Sequence, residues 1–372
     1  MKAVVVGGGI VGAACAYELA RRGAQVRIVD AGTPPVGASV RSDGGLLLGN
    51  KRPSAVPLAR AALRAWDALV GSLGDVEYEP NRLLTVAQDA RQAASLARRV
   101  GALRDAGVEV VELTGAECRS LDPGLSPSVC YGMQVPENRA LQPMLATVAL
   151  LRLARSAGAL VHADTEVTAV EPRRVHTVDG PLDADEVVVA TGAWTGELMA
   201  RSGFHVPVEP RRGHVLVAER RAAPIVRCGA MGAAYADVAH SADAALHAVP
   251  LVTGTRSGTV LIGATRERVG FEQRIDVGAV RRMCAGAVGL YPALRHCRVI
   301  RSWIGFRPWT PDGHPYVGRL APGLAVAAGH EGEGITYGPL TGQLVARALL
   351  DDAAVPAAWD AGRLMAGDEV CA

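Results

Sequence analysis

Apolar residues recur along this chain with two different periods. Consecutive β-branched runs, Ala3-Val-Val-Val6 and Val187-Val-Val-Ala190, have no polar alternation and predict strands buried on both faces. Apolar positions at three- and four-residue spacing predict helices over Pro57–Leu69, Ala90–Arg104, Leu145–Ala157 and Val280–Tyr291, with Gly158 stopping the third. Further strands are expected at Gln25–Asp30, Arg82–Ala87, Val108–Glu112, Ala159–His162, Thr165–Val170, Val215–Val217, Leu246–Val252 and Thr259–Ile262. The tail from Leu324 through Leu350 reads as strand, glycine-rich turn and helix.

The first strand ends in Gly7-x-Gly9-x-x-Gly12, with Ile10 and Val11 inside the turn, and runs directly into a helix carried by Ala13, Ala14, Ala16 and Leu19. Glycines at this spacing permit a tight turn, close approach of backbone N–H groups to a pyrophosphate, and close strand–helix packing. The next strand ends in an acid, Asp30, where a carboxylate would bind ribose hydroxyls, with Ala31 following it. These features predict an α/β fold. A Rossmann-type dinucleotide domain is expected from 1–50, 144–206 and 302–372, interleaved with an α+β substrate domain on an antiparallel sheet from 51–143 and 207–301.

With 372 residues, 49% of them hydrophobic, the chain has enough apolar material for two cores. A formal net charge of +2, with arginines scattered, provides no basic field for nucleic acid. No apolar run reaches the length of a membrane span, and the chain enters its first strand without a leader-like segment. Seven widely spaced cysteines form no Cys-x-x-Cys pair, so neither a zinc site nor a disulfide framework is indicated. A cytoplasmic protein without nucleic-acid or membrane partners is expected, and a homo-oligomer is left open.

Four motifs in order, Val6–Gly12, Val187–Trp194, Gly305–Gly318 and Gly329–Gly342, resemble those of the FAD-dependent amine oxidoreductases of the D-amino acid oxidase superfamily. The resemblance covers nearly the whole chain and is closest to the glycine oxidase and sarcosine oxidase branch. It implies that Ser39, Arg41, Ser42, Asp43, Gly44, Gly45 and Leu46 pass the pyrophosphate and the flavin ring, and that Val167 meets the cofactor through its main chain. Ala190, Thr191, Gly192 and Trp194 would bring backbone near the flat ligand. Gly329, Glu331, Gly332, Glu333, Gly334, Ile335 and Thr336 would line the isoalloxazine. There, N–H groups at the start of the last helix would stabilise the charge of reduced flavin. The cysteine and histidine through which some relatives attach FAD covalently are absent from the corresponding segments, which implies non-covalent FAD.

Arg307 lies between Phe306 and Pro308-Trp309, apolar company in which a guanidinium requires an anionic partner. That partner is either a protein acid such as Asp312 or, as the resemblance implies, the α-carboxylate of a substrate. His330 could face substrate or bond to nearby backbone. His214 is expected to pack, and Trp194, Trp303 and Trp309 could be pocket wall or core. Leu251 stands near where the glycine oxidase branch has a pocket tyrosine, so the pocket is expected to admit a bulkier, more apolar group than glycine carries.

The implied substrate is a small amino acid or N-substituted glycine with an α-carboxylate. The implied reaction is hydride transfer from its α-carbon to flavin N5. The imine then hydrolyses to an oxo acid and amine, with O2 as acceptor. Two alternatives stay open: an NAD(P)-dependent dehydrogenase, and a flavoprotein subunit of a hetero-oligomeric amino-acid or opine dehydrogenase.

Overall fold

The computed structural model describes residues 1–235 and 247–365. Leu246, the start of one expected strand, and the last residues of the expected first domain lie outside the described residues. A six-stranded sheet carries the N-terminal motif, in the spatial order Tyr316–Ala321, Leu324–Ala328, Glu186–Val189, Lys2–Val6, Gln25–Val29 and Leu160–His162. All but the first of these strands run parallel. The β-branched runs form its centre: every residue of Val4–Val6 and Val187–Val189 is buried, as strands covered on both faces require.

An eight-stranded, mostly antiparallel sheet forms the second layer, with Val299–Trp309 at its edge, then Glu209–Ala218, Val260–Arg266 and His247–Gly254. Arg307 pairs with Arg211 and Gly305 with Gly213 along the first two strands. The expected domain boundary at 302 therefore falls inside a strand of the second sheet. Helices occupy Val56–Val70, Ala90–Asp105, Pro143–Ser156 and Val277–Leu290, each within a few residues of its expected place. The strand expected at Val108–Glu112 forms instead over Val111–Thr114. Val108 and Val110 are buried in the main core, and the ladder with Tyr131–Gln134 begins after them.

Two helices bring the chain ends together. Ile10–Ala20 and Gly334–Leu350 pack so closely that a Cβ on Gly342 would come within 2.6 Å of Ala14 backbone, and one on Gly338 within 3.1 Å of the Ile10 side chain. The second helix contains Pro339, whose missing N–H leaves the Ile335 carbonyl without its helical donor. The indole N–H of buried Trp66 donates to that carbonyl at 3.0 Å and to the Thr336 carbonyl at 3.2 Å. Both helix N-termini then lie beside the carboxyl ends of the parallel strands, where open α/β sheets bind their ligands.

Candidate active site

A cavity of about 640 Å³ begins at those strand ends and continues to the face of the second sheet. At one end it is lined by Gly7, Gly9, Ile10, Val11, Asp30 and Ala31. Gly7 adopts φ +106°, and a Cβ there would meet the Ala190 carbonyl oxygen at 2.5 Å. The Asp30 carboxylate accepts the N–H groups of Gly8 at 2.6 Å and Gly32 at 2.9 Å, which fixes the turn and holds an acid at the end of the second strand. Ser39 Oγ accepts the N–H of Ile10 at 2.9 Å, at a helix start that has no side-chain cap of its own. A glycine-built turn, a helix N-terminus and an acid at the second strand end fit the ADP half of FAD.

Val167, Ala190, Thr191, Gly192 and Trp194 line the flank of the cavity, as do Arg41, Ser42, Asp43 and Gly45. Glu331, Gly332, Glu333, Gly334 and Ile335 line it from the C-terminal turn. Five residues expected at the cofactor sit behind the wall instead. Gly12 allows the turn to close, since a Cβ there would stand 1.9 Å from the Gly7 oxygen. Gly44 has φ +85° and passes against the Leu141 carbonyl, while Leu46 is wholly buried in the core. Gly329, at φ +87°, turns against Thr310, and Thr336 is buried within the helix. None of the five is among the residues that line the cavity.

At the other end, acids and guanidiniums gather. Glu331 occupies a left-handed conformation, φ +46°, that is costly for a non-glycine residue. Its Oε1 lies 3.6 Å from Arg211, 3.5 Å from Arg266 and 3.9 Å from Arg307. Its carboxylate thus balances charge at this end of the cavity. Burial works against the carboxylate, but the flanking guanidiniums of Arg266, Arg307 and Arg211 hold its pKa below the usual range. For Arg307, burial and then Arg266 depress the pKa. Burial raises that of Asp43.

Arg307 Nη1 donates to the Thr265 carbonyl at 3.0 Å. Asp312, the alternative partner considered for Arg307, instead pairs with Arg363 at 2.9 Å. Gly213 makes room for the guanidinium: a Cβ there would stand 2.2 Å from Arg307 Nη1.

His330 lines the cavity, yet its Nε2 is engaged at 2.9 Å by Thr341 Oγ1 and its ring meets Trp359 edge-on. Burial pushes its pKa down to about 3, so the ring is neutral. His214 packs in a buried network, with Nδ1 3.0 Å from Glu267 Oε1 and Nε2 accepting the Asp276 N–H at 3.1 Å. Leu251 lines the cavity and packs with Leu47, Met231 and Tyr235. Trp194 stacks on Phe271, ring centres 5.0 Å apart, and Phe306 meets both rings edge-on. Trp309 is buried beneath Arg268, and Trp303 donates to the Arg41 carbonyl at 3.1 Å.

Several lining residues escaped the sequence reading. Arg266 ends a strand and Tyr235 follows a short one, and neither stands in a recognisable motif. Lys51, behind the lining, is buried against the Glu333 carboxylate and sits 5.3 Å from the Tyr337 ring. Burial pushes Lys51 down to about 7. Gly213 lies within the strand Glu209–Ala218, where a glycine leaves space for close approach by another group.

A family profile described as FAD dependent oxidoreductase matches residues 2–348. The chain is 32% identical to glycine oxidase of Geobacillus kaustophilus over 92% of its own length and 91% of the relative's. It superposes on the crystal structure of glycine oxidase from that organism with a TM-score of 0.85 and 30% identity, covering 97% of each chain. It is also 26% identical to hydrogen cyanide synthase subunit HcnC of Pseudomonas protegens, over 95% of this chain and 93% of that one. With the glycine cradle, the paired helix N-termini and these likenesses in hand, the chain belongs to the family of FAD-dependent oxidoreductases.

Proposed function

We propose that this enzyme oxidises the C–N bond of a small α-amino acid or N-substituted glycine, yielding an oxo acid and an amine, with O2 as acceptor. The observation that supports this most is a single cavity reaching from the glycine cradle to the partly buried guanidinium of Arg307. Non-covalently bound FAD supplies hydride acceptance from the substrate α-carbon.

The chain's own residues do the rest. The planar fork of Arg307, steadied by the Thr265 carbonyl, receives the α-carboxylate and orients the α-carbon. Glu331 keeps the guanidinium cluster from repelling itself, and N–H groups of Gly332–Ile335 offer a positive edge to developing negative charge. The apolar wall of Leu251 and Leu47 excludes water from that side. Because His330 is neutral and committed to Thr341, the substrate amine loses its proton to solvent before oxidation rather than to this ring.

The test is an anaerobic bleaching screen over amino acids and N-alkyl glycines, run on wild type and Arg307→Ala. Bleaching by carboxylated amines is expected, with kcat/KM lowered about 10³-fold in the variant, mostly through KM. Unchanged kcat/KM would remove Arg307 from this role. The likeness to a cyanide synthase subunit supports a second reading, a flavoprotein working within a hetero-complex. Steady turnover by the isolated chain with O2 would argue against it.

A further inference from the structure

The side of the cavity away from the glycine cradle holds more positive charge than one substrate carboxylate uses. Arg266 lines the cavity, is 4% exposed, and has no hydrogen-bond acceptor for Nε or Nη1 among the described residues. The carboxylate at ion-pair distance is Glu331, at 3.5 Å, which it shares with Arg307 and Arg211. Glu331 Oε1 itself makes no hydrogen bond with any of them, so one acid counters several cations at ion-pair distance without saturating their donors.

A buried guanidinium with unused N–H groups is costly unless an acceptor arrives. Asp43 is another acid near this group; burial raises its pKa against the lowering pull of Arg307 and Arg266. The guanidinium is also held in place. It lies 4.7 Å from the centre of the Tyr235 ring, and its Nη2 donates to the Tyr235 hydroxyl at 3.3 Å. Tyr235 packs in turn with Leu47 and Leu251, which leaves Arg266 as the polar anchor of an otherwise aliphatic wall. A fixed, dry fork of this kind suits a carboxylate.

We propose that Arg266 binds a second substrate carboxylate, so that the preferred substrate is a dicarboxylic amine with one acid group on Arg307 and the other on Arg266. This rests on the reading of Arg307 above and adds the substrate class. It also revises the expectation of a purely apolar appendage: the aliphatic wall takes the carbon linker, and its far end is charged. Two sources share this chemistry, glycines whose nitrogen carries a carboxyalkyl group and α-amino acids with an acidic side chain.

The experiment uses the FAD-loaded enzyme and two unreactive ligands of similar shape, oxydiacetate with two carboxylates and methoxyacetate with one. Binding is read by calorimetry and by perturbation of the flavin spectrum. Oxydiacetate is expected to bind about 100-fold tighter to wild type, and Arg266→Met to remove that preference while shifting methoxyacetate less than about threefold. Arg266→Lys, which keeps the charge without the fork, should retain part of the preference, and flavin content verifies folding of each variant.

Equal affinities in wild type, no binding of either ligand, or a preference that survives in Arg266→Met would overturn the proposal. In Arg307→Ala both ligands should weaken; if neither does, the reading of Arg307 fails instead. Turnover of iminodiacetate against D- and L-aspartate then tells the two sources apart, with glycine as the single-carboxylate reference.

Discussion

The two ends of the cavity handle charge in different ways. At the cradle, the groups that face a ligand are backbone N–H groups of one continuous turn, and the demand on sequence is the absence of side chains. At the guanidinium end, charge sits on side chains from three paired strands and one turn, and the demand is balance among them. The first end is intolerant of any added atom; the second tolerates shape changes but depends on which charges remain. The first suits a ligand shared by many enzymes, the second a ligand that differs between them.

The sharpest way to break the cradle is Gly12→Val. A Cβ at 1.9 Å from the Gly7 oxygen forces the turn open, and the β-branch adds to the clash. The purified variant should hold less than about a tenth of the wild-type flavin and lose about 3 kcal/mol or more of stability, measured by absorbance and denaturant unfolding.

A smaller effect is expected from the same kind of change at the other end. In Gly213→Ala the new methyl meets the far end of a side chain, Arg307 Nη1 at 2.2 Å, as well as the Thr265 carbonyl at 2.8 Å. The guanidinium should swing off its acceptor while flavin content stays normal, raising KM for a carboxylated substrate about tenfold with kcat little changed. Loss of flavin in this variant would show that the two ends are not separable.

The mildest test concerns His330, which lies where the two ends meet. Its native pKa of about 3 is below the ordinary histidine value, so below pH 6.5 the unfolded chain takes up a proton that the native ring refuses. Stability from this site is complete above pH 6.5 and lost as pH falls toward 3, about 1.4 kcal/mol by pH 5.5. His330→Gln can still bond to Thr341, and its unfolding free energy should be flatter over that range. An unchanged slope would place the acid sensitivity elsewhere.

Much of the frame was legible because its signals are local. Strand, glycine turn, helix and terminal acid follow one another within the first thirty residues, and the steric reason for Gly12, the Gly7 oxygen, lies close by in sequence, whereas that for Gly7 is the distant Ala190 carbonyl. Arg307 could be singled out because its apolar neighbours made an unpaired charge costly. The strand at Val111–Thr114 was misplaced by a few residues, since burial of Val108 and Val110 in the core mimics the pattern of a strand. Gly12, Gly44, Leu46, Gly329 and Thr336 neighbour lining residues in sequence but are not themselves among the residues that line the cavity.

By itself, the sequence determined the doubly glycine-marked ends, the order of strands and helices, and the presence of an arginine in need of an acid. Those depend on periodicity, backbone sterics and the cost of burying charge, which act over a few residues. Which acid stands near Arg307, that Arg266 joins it, that Gly213 opens space for it and that Trp66 repairs the carbonyl freed by Pro339 were decided only by the tertiary structure. These are contacts between segments far apart in the chain, and neither partner carries a local mark of the other: electrostatic and steric complementarity exist only once the sheets have paired.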